Sequence, residues 1–205
     1  MKILIINGSP RVDGNTSIAI SEVVKSLNEE GIDTEVIQVG NIDIRGCIAC
    51  YSCFKTGKCC FDDVVNETAP KLKECDGIIV ASPTYYGSPN GTIMSFLDRL
   101  FYSSKCDMSM KVGAAIAIAR RAGADTNFDV LNKYFTINNM IVVGSQYWNN
   151  AFGRDKGEVK NDEEGLQTMR HLGKNMAFVL KCINDGKQKY KVNFNEEHKF
   201  THFIR

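Results

Sequence analysis

The sequence carries almost no net charge and no long apolar run. Its 25 Lys and Arg against 24 Asp and Glu leave a formal charge of +1, which gives no electrostatic reason to expect a nucleic-acid or acidic-membrane partner. The longest apolar stretch, Val112 to Ala119, is interrupted by Gly113 and falls far short of the ~20 residues that cross a bilayer. The opening run Met1 to Ile6 is too short for the core of a signal peptide and ends in a turn. These absences predict a cytoplasmic protein with no membrane partner. The Asn-x-Ser/Thr tripeptides at Asn15, Asn66 and Asn90 are then not glycan sites. Internal repeats, low-complexity segments and linkers are also missing, so residues 1–205 read as a single domain, long enough to bury a full core.

What is present is an alternation. Apolar runs at Ile3–Ile6, Thr34–Val39, Gly77–Ala81, Val112–Ala119 and Met140–Val143 read as strands. Between them lie helical patterns, such as Ile20, Val23, Val24 and Leu27, or Ile93, Leu97, Leu100 and Phe101. Asn15-Thr16-Ser17 is suited to cap the first helix, and Pro70 is placed to split or kink the helix that opens at Asp62-Asp63. A long irregular stretch precedes a final helix marked by Met169, Leu172, Met176, Val179 and Ile183. Strands that are apolar throughout indicate a parallel sheet covered on both faces. The expectation is an α/β, doubly wound sheet of five parallel strands in the order 2-1-3-4-5. Ligands of such sheets bind beyond the carboxyl ends of the strands, where the order reverses.

The turn after the first strand, Gly8 to Ser17, combines small residues, the hydroxyls of Ser9, Thr16 and Ser17, and Arg11 at a helix start. A helix amino terminus offers unpaired N–H groups to an anion, so this turn is a candidate phosphate site. It lacks both the Gly-Lys-Ser/Thr ending of a triphosphate loop and the three-glycine spacing of a dinucleotide loop. It also lacks the acidic residues of a response regulator and the Cys-x5-Arg of a small phosphatase. After the third strand, Ser82 to Gly91 places Tyr85 and Tyr86 among small residues, where they could cover a flat aromatic ring. A phosphate at one end and a ring at the other describe a mononucleotide such as FMN. The loop after the fourth strand adds Arg120 and Arg121 over the same ligand.

These segments resemble the flavodoxin-like family of NAD(P)H-dependent FMN reductases. The matching pieces are Gly-Ser-Pro-Arg with Gly-Asn-Thr-Ser at 8–17, Ser-Pro-Thr-Tyr-Tyr-Gly-Ser at 82–88 and Phe-Leu-Asp-Arg-Leu at 96–100. The likeness continues through Arg120-Arg121-Ala-Gly and residues 129–135 to Glu164–Met169. It implies a homodimeric or homotetrameric flavoprotein that takes hydride from NAD(P)H and passes electrons to a flavin, a quinone or a partner protein. By that resemblance Ser9, Arg11, Asn15, Thr16 and Ser17 hold the phosphate, and Pro83, Thr84, Tyr85, Tyr86 and Gly87 hold the isoalloxazine. The rival readings are an FMN-binding electron-transfer protein with no NAD(P)H activity of its own and a flavin-binding redox sensor.

Five of the eight cysteines fall between positions 47 and 60. In a reducing compartment such clustering points to metal or redox chemistry before structural disulfides. Cys47, Cys50, Cys53 and Cys59 have the spacing C-x2-C-x2-C-x5-C, in which three thiolates wrap one cage and a fourth closes it. Cys60 competes with Cys59 for the last place. A thiol–disulfide device between Cys50 and Cys53 and a zinc site are the alternatives. The compact set resembles that of the iron–sulfur flavoproteins, a branch of the same family, and this resemblance implies a [4Fe–4S] cluster.

Overall fold

Successive side chains of a strand face opposite sides of a sheet, so a strand that is apolar at every position needs cover on both. The computed structural model, which describes residues 1–191 and then 196, 197, 199 and 201, has that arrangement. The expectation of one domain over 1–205 extends past these and lies partly outside the described residues. In chain order the elements are β1 (Lys2–Asn7), α1 (Asn15–Glu29), β2 (Asp33–Gln38), α2 (Ser52–Thr56), α3 (Val64–Glu74), β3 (Gly77–Tyr85) and β4 (Ser88–Pro89). There follow α4 (Gly91–Ser103), β5 (Val112–Ala119), α5 (Ala124–Thr136), β6 (Ile141–Val142), β7 (Asn150–Phe152), a 3-10 turn (Glu158–Asn161) and α6 (Glu163–Lys189). Ile3, Ile5, Ile79 and Ala81 pack under α1 and α6 on one face. Leu4, Ile6, Ile78 and Val80 pack under α3, α4 and α5 on the other. Among the described residues no helix is long and apolar enough to cross a membrane.

The main path of the sheet runs β2-β1-β3-β5-β6, all parallel. This corrects the expected five strands in the order 2-1-3-4-5, because the sheet has seven strands and two of them lie off that path. One is β4, which folds back antiparallel on Thr84 and Tyr85. Tyr86 and Gly87, which link the two, have φ of 52° and 73°, the pairing that a two-residue type I′ hairpin turn requires. The other is β7. The place beside β5 is shared between β6, paired with Val112 and Gly113, and β7, paired with Ala117 to Ala119. Between them the chain leaves the sheet and carries Tyr147 and Trp148 outward. Buried Asn149 closes this excursion by donating to the carbonyls of Ala115 and Val143 at 3.0 and 3.5 Å.

Three further expectations change. Helix α3 runs through Pro70 without a break. Strand β3 continues past Ser82-Pro83. Pairing with β1 ends at Ala81, so the missing N–H of Pro83 leaves no gap on that side of the ladder. The stretch before the last helix holds β7 and the 3-10 turn, and α6 itself begins at Glu163.

Candidate functional site

Strands β1 and β3 sit side by side although the chain leaves β1 in one direction and β3 in the other, so their loops part and leave a crevice. Ser9, Arg11, Asn15 and Thr16 line it from the β1 side, Pro83, Thr84 and Tyr85 from the end of β3, and Ile118, Ala119 and Arg120 from the end of β5. Gly153 and Arg154, just beyond β7, complete the wall. The cleft is open to solvent along one side and has a cavity volume of about 190 Å³. Three arginines and no carboxylate face it, so it favours an anion. The first-turn N–H groups of α1 point the same way, since a helix leaves its first donors without intrahelical acceptors. A larger groove of about 830 Å³ lies between α1 and β2 on the sheet's outer edge. Its lining mixes Val12, Ile20, Val24 and Val36 with polar side chains, and its one cation, Lys25, is accompanied by Glu29.

Of the residues expected around a flavin, Ser9, Arg11, Asn15, Thr16, Pro83, Thr84, Tyr85 and Arg120 share this cleft, and Ser17, Tyr86, Gly87 and Arg121 stand outside its wall. Ser17 turns inward, donating to the Val12 carbonyl at 2.5 Å and accepting from Asn7 Nδ2 at 3.0 Å. Tyr86 is fully exposed at the hairpin tip. Asn15 does not cap its helix, because Gly14 occupies the cap position with no side-chain bond. The Asn15 amide instead holds the 155–159 loop, donating to the Asp155 carbonyl at 2.9 Å and accepting from the N–H groups of Gly157 and Val159 at 2.9 and 3.3 Å. A Cβ at Gly153 would lie 2.8 Å from Asn15 Nδ2, so glycine lets this loop close against α1 and brings Arg154 to the cleft. Gly40 has a similar part on the other flank. A side chain there would overlap the Gly8 carbonyl oxygen at 2.2 Å, where the chain leaving β2 crosses the turn after β1. Behind Thr84, buried Asn127 donates to its Oγ1 at 2.9 Å and to the Ser82 carbonyl at 3.2 Å, fixing the end of β3.

The cysteine stretch forms a second site. Cys47, Cys50, Cys53, Cys59 and Cys60 line one small cavity of about 20 Å³ with Arg99 and Tyr102. Positive φ at Ala49 and Tyr51 coils the chain around it, and α2 carries Cys53 inward. Arg99 is 1% exposed, and each of its five N–H donors can be assigned. Nη1 meets Asp63 at 2.7 Å and the Arg45 carbonyl at 3.2 Å, and Nη2 meets Asp63 at 2.8 Å and the Phe61 carbonyl at 3.3 Å. Nε meets Cys59 Sγ at 3.2 Å. Burial opposes the charge on Arg99, but the bonds to Asp63 and Cys59 outweigh it and raise its pKa. The backbone of Cys59 is clamped as well, donating to Asn66 Oδ1 at 2.9 Å and accepting from Asn66 Nδ2 at 3.0 Å.

Cys50 and Cys60 have no such support. Their sulfurs are 3.4 Å apart and both residues are exposed. The Ser52 amide, and then the bond from Cys60, hold the Cys50 thiol below the ordinary cysteine range, and the same bond pushes Cys60 up. Among the described residues no three His, Cys, Asp or Glu side chains converge closely enough to clasp a single metal ion as they stand. The donor set nonetheless suits an iron–sulfur cluster in number and softness, with five thiols and no carboxylate or imidazole on the cavity wall.

Comparison with known proteins agrees with both sites. An iron–sulfur flavoprotein of Methanocaldococcus jannaschii is 38% identical over 191 residues, covering 89% of this chain and 99% of the relative. One from Methanosarcina thermophila is 31% identical over 194 residues, covering 92% and 100%. Among solved structures, RosB with a bound 8-demethyl-8-formylriboflavin-5′-phosphate intermediate superposes with a TM-score of 0.70 at 17% identity, covering 100% of this chain and 96% of that one. An archaeal flavodoxin superposes with a TM-score of 0.61 at 18% identity, covering 88% and 99%. These two likenesses establish the flavodoxin-like fold. Residues 1–155 match the NADPH-dependent FMN reductase family, and with the relatives above this places the chain in that family, within its iron–sulfur flavoprotein branch.

Proposed function

We propose that the protein is an FMN-dependent oxidoreductase that takes hydride from NAD(P)H and passes electrons onward through a [4Fe–4S] cluster held by Cys47, Cys50, Cys53 and Cys59. The observation that carries the reading is the cleft at the switch point, with three arginines, a helix amino terminus and no carboxylate on its wall. When bound, FMN supplies hydride acceptance and the later release of electrons, and the cluster supplies one-electron relay. Ser9, Thr16, Arg11 and the first turn of α1 bind the phosphate, with Arg154 adding a second positive charge. Thr84 and Tyr85 shape the wall along the ring, and Arg120 offers donors to its polar edge. The wall contains no His, Asp or Glu, in keeping with chemistry that needs position and hydrogen-bond donors more than a protein acid or base. The Arg99 bond to Cys59 orients that sulfur for its role as a ligand.

A single cleft serving the nicotinamide and then the acceptor implies alternating kinetics, with flavin, quinone or a partner protein as acceptor. We also propose a homodimer or homotetramer in which assembly carries the cysteine loop toward the cleft of another copy. The exposed apolar side chains of Ile48, Tyr51, Phe54 and Tyr102 around that loop support this. The test is anaerobic purification followed by mixing with NADPH or NADH. The protein is expected to carry FMN and iron, and its flavin absorbance is expected to bleach rapidly. Recovery of FAD alone would refute the cofactor assignment. An FMN that neither nucleotide bleaches would leave an electron-transfer protein in place of an enzyme.

A further inference from the structure

A cage of four thiolates uses four of the five sulfurs on the cavity wall and leaves Cys60 over. Its neighbour Cys59 is held by Arg99 and Asn66, whereas no hydrogen bond of the Cys60 backbone occurs among the described residues. The Cys60 sulfur lies 3.4 Å from Cys50 Sγ. The Cys59 sulfur also lies near Cys60, but it accepts from Arg99 Nε. A disulfide bond is about 2.05 Å long, so the gap to close is roughly 1.4 Å. Both residues are exposed, so small side-chain rotations can cover that distance and a small oxidant can reach the pair.

We propose that Cys50 and Cys60 form a reversible dithiol–disulfide couple that closes when the loop holds no cluster, with a peroxide as oxidant. In the first step one thiol sulfur attacks hydrogen peroxide. An S–O bond forms, the O–O bond breaks, and the departing hydroxide takes a proton and leaves as water. In the second step the other sulfur attacks this sulfenic sulfur. The S–S bond forms, the S–O bond breaks, and a second water departs with the remaining proton. Two electrons pass from the thiols to the peroxide, so two thiols and one peroxide give one disulfide and two waters. A thiol reductant returns both thiols by exchange. The disulfide itself follows from the loop geometry alone. Its consequence, that Cys50 is withdrawn from the ligand set and the loop cannot accept a cluster until reduced, rests on the function proposed above.

The test uses the full FMN-bearing chain, freed of iron by a chelator in the presence of reductant, desalted without oxygen and treated with one equivalent of hydrogen peroxide. Two of the eight thiols are expected to disappear, and non-reducing peptide mapping is expected to recover Cys50 joined to Cys60. The oxidised chain should take up no iron from iron and sulfide unless dithiothreitol is added first. Cys60→Ser should assemble a cluster as the parent does and form no crosslink at Cys50. Mapping that joins Cys50 to Cys47, Cys53 or Cys59 would overturn the proposal, as would finding only sulfenic or sulfinic acid. A Cys60→Ser chain unable to assemble a cluster would overturn it too, because Cys60 would then be a ligand. If the reduced parent chain takes up no iron while the crosslink still forms, the cluster reading fails and the couple stands.

Discussion

The cleft over the strand ends and the cysteine loop are assembled by different means. The cleft takes its shape from the sheet. Ser9, Thr84 and Ile118 lie at or just past the ends of three neighbouring strands, and the order β2-β1-β3-β5 alone brings them together. The cysteine loop follows edge strand β2, has no ladder of its own, and depends on side chains. Arg99 reaches it from α4, and Asp63 and Asn66 from the start of α3. A site of the first kind tolerates loss of a side chain, because main-chain donors remain. A site of the second kind depends on each contact.

The sharpest break of this comparison is Cys50→Ser. After anaerobic reconstitution the variant is expected to hold no iron and to lose its broad visible absorption, with FMN content equal to the parent. Iron and flavin assays on one sample check this, and joint loss of both groups would show that the two sites are coupled. Next is Arg99→Ala, which leaves Asp63 beside a buried gap and frees the Cys59 sulfur. Breaking a buried pair of this kind costs about 3 kcal/mol, to be read from urea unfolding with FMN bound. A loss below about 1 kcal/mol would mean that the loop does not lean on this network.

On the cleft side, Arg11→Ala is expected to weaken FMN binding by roughly 1.5–3 kcal/mol through loss of a charged contact to phosphate, with the unfolding midpoint of the apo chain unchanged. Titration of that chain with FMN measures it, and unaltered affinity would pass the phosphate to Arg154. The smallest effect is expected at the hairpin tip. Tyr86 has a left-handed φ of 52° that asparagine adopts more readily. Tyr86→Asn should raise stability by about 0.5–1 kcal/mol and leave FMN affinity unaltered. Loss of flavin in this variant would return Tyr86 to the ring site.

The contrast also accounts for what was legible in the sequence. Apolar runs and small-residue turns encode strands and the loops that follow them, so the turn at Gly8–Thr16 could be read directly, as could the place of Pro83, Thr84 and Tyr85 beside the cleft, although β3 itself runs on through these three. Arg154 could not, because its strand β7 is three residues long and opens on Asn150 after another asparagine. The Asn15 amide, reaching across the fold to the 155–159 loop, brings Arg154 into place together with the Glu158 carboxylate, which accepts from the Arg154 N–H at 2.6 Å, and the Ala119 carbonyl, which accepts from the Gly153 N–H at 3.0 Å. The spacing of the cysteines was plain, but their unequal support was not. One signal was available. Arg99 lies on the face of α4 that also carries Phe96, Leu100 and Ser103, and a charge on an apolar helical face calls for a buried partner. Tyr86 was hidden for the opposite reason, since the hairpin that turns it outward depends on backbone conformation at two residues and leaves no periodicity.

The split beside β5 has a practical consequence of an optical kind. Trp148, the only tryptophan in the sequence, rides on the excursion between β6 and β7, is 55% exposed and packs against Tyr147 with ring centroids 5.1 Å apart. Indole emission from this protein therefore comes from one known point, and that point is tied through β7 to the segment that presents Gly153 and Arg154. A change in that emission on adding FMN would report ligand arrival on that flank of the cleft, with no label to attach and no second indole to subtract.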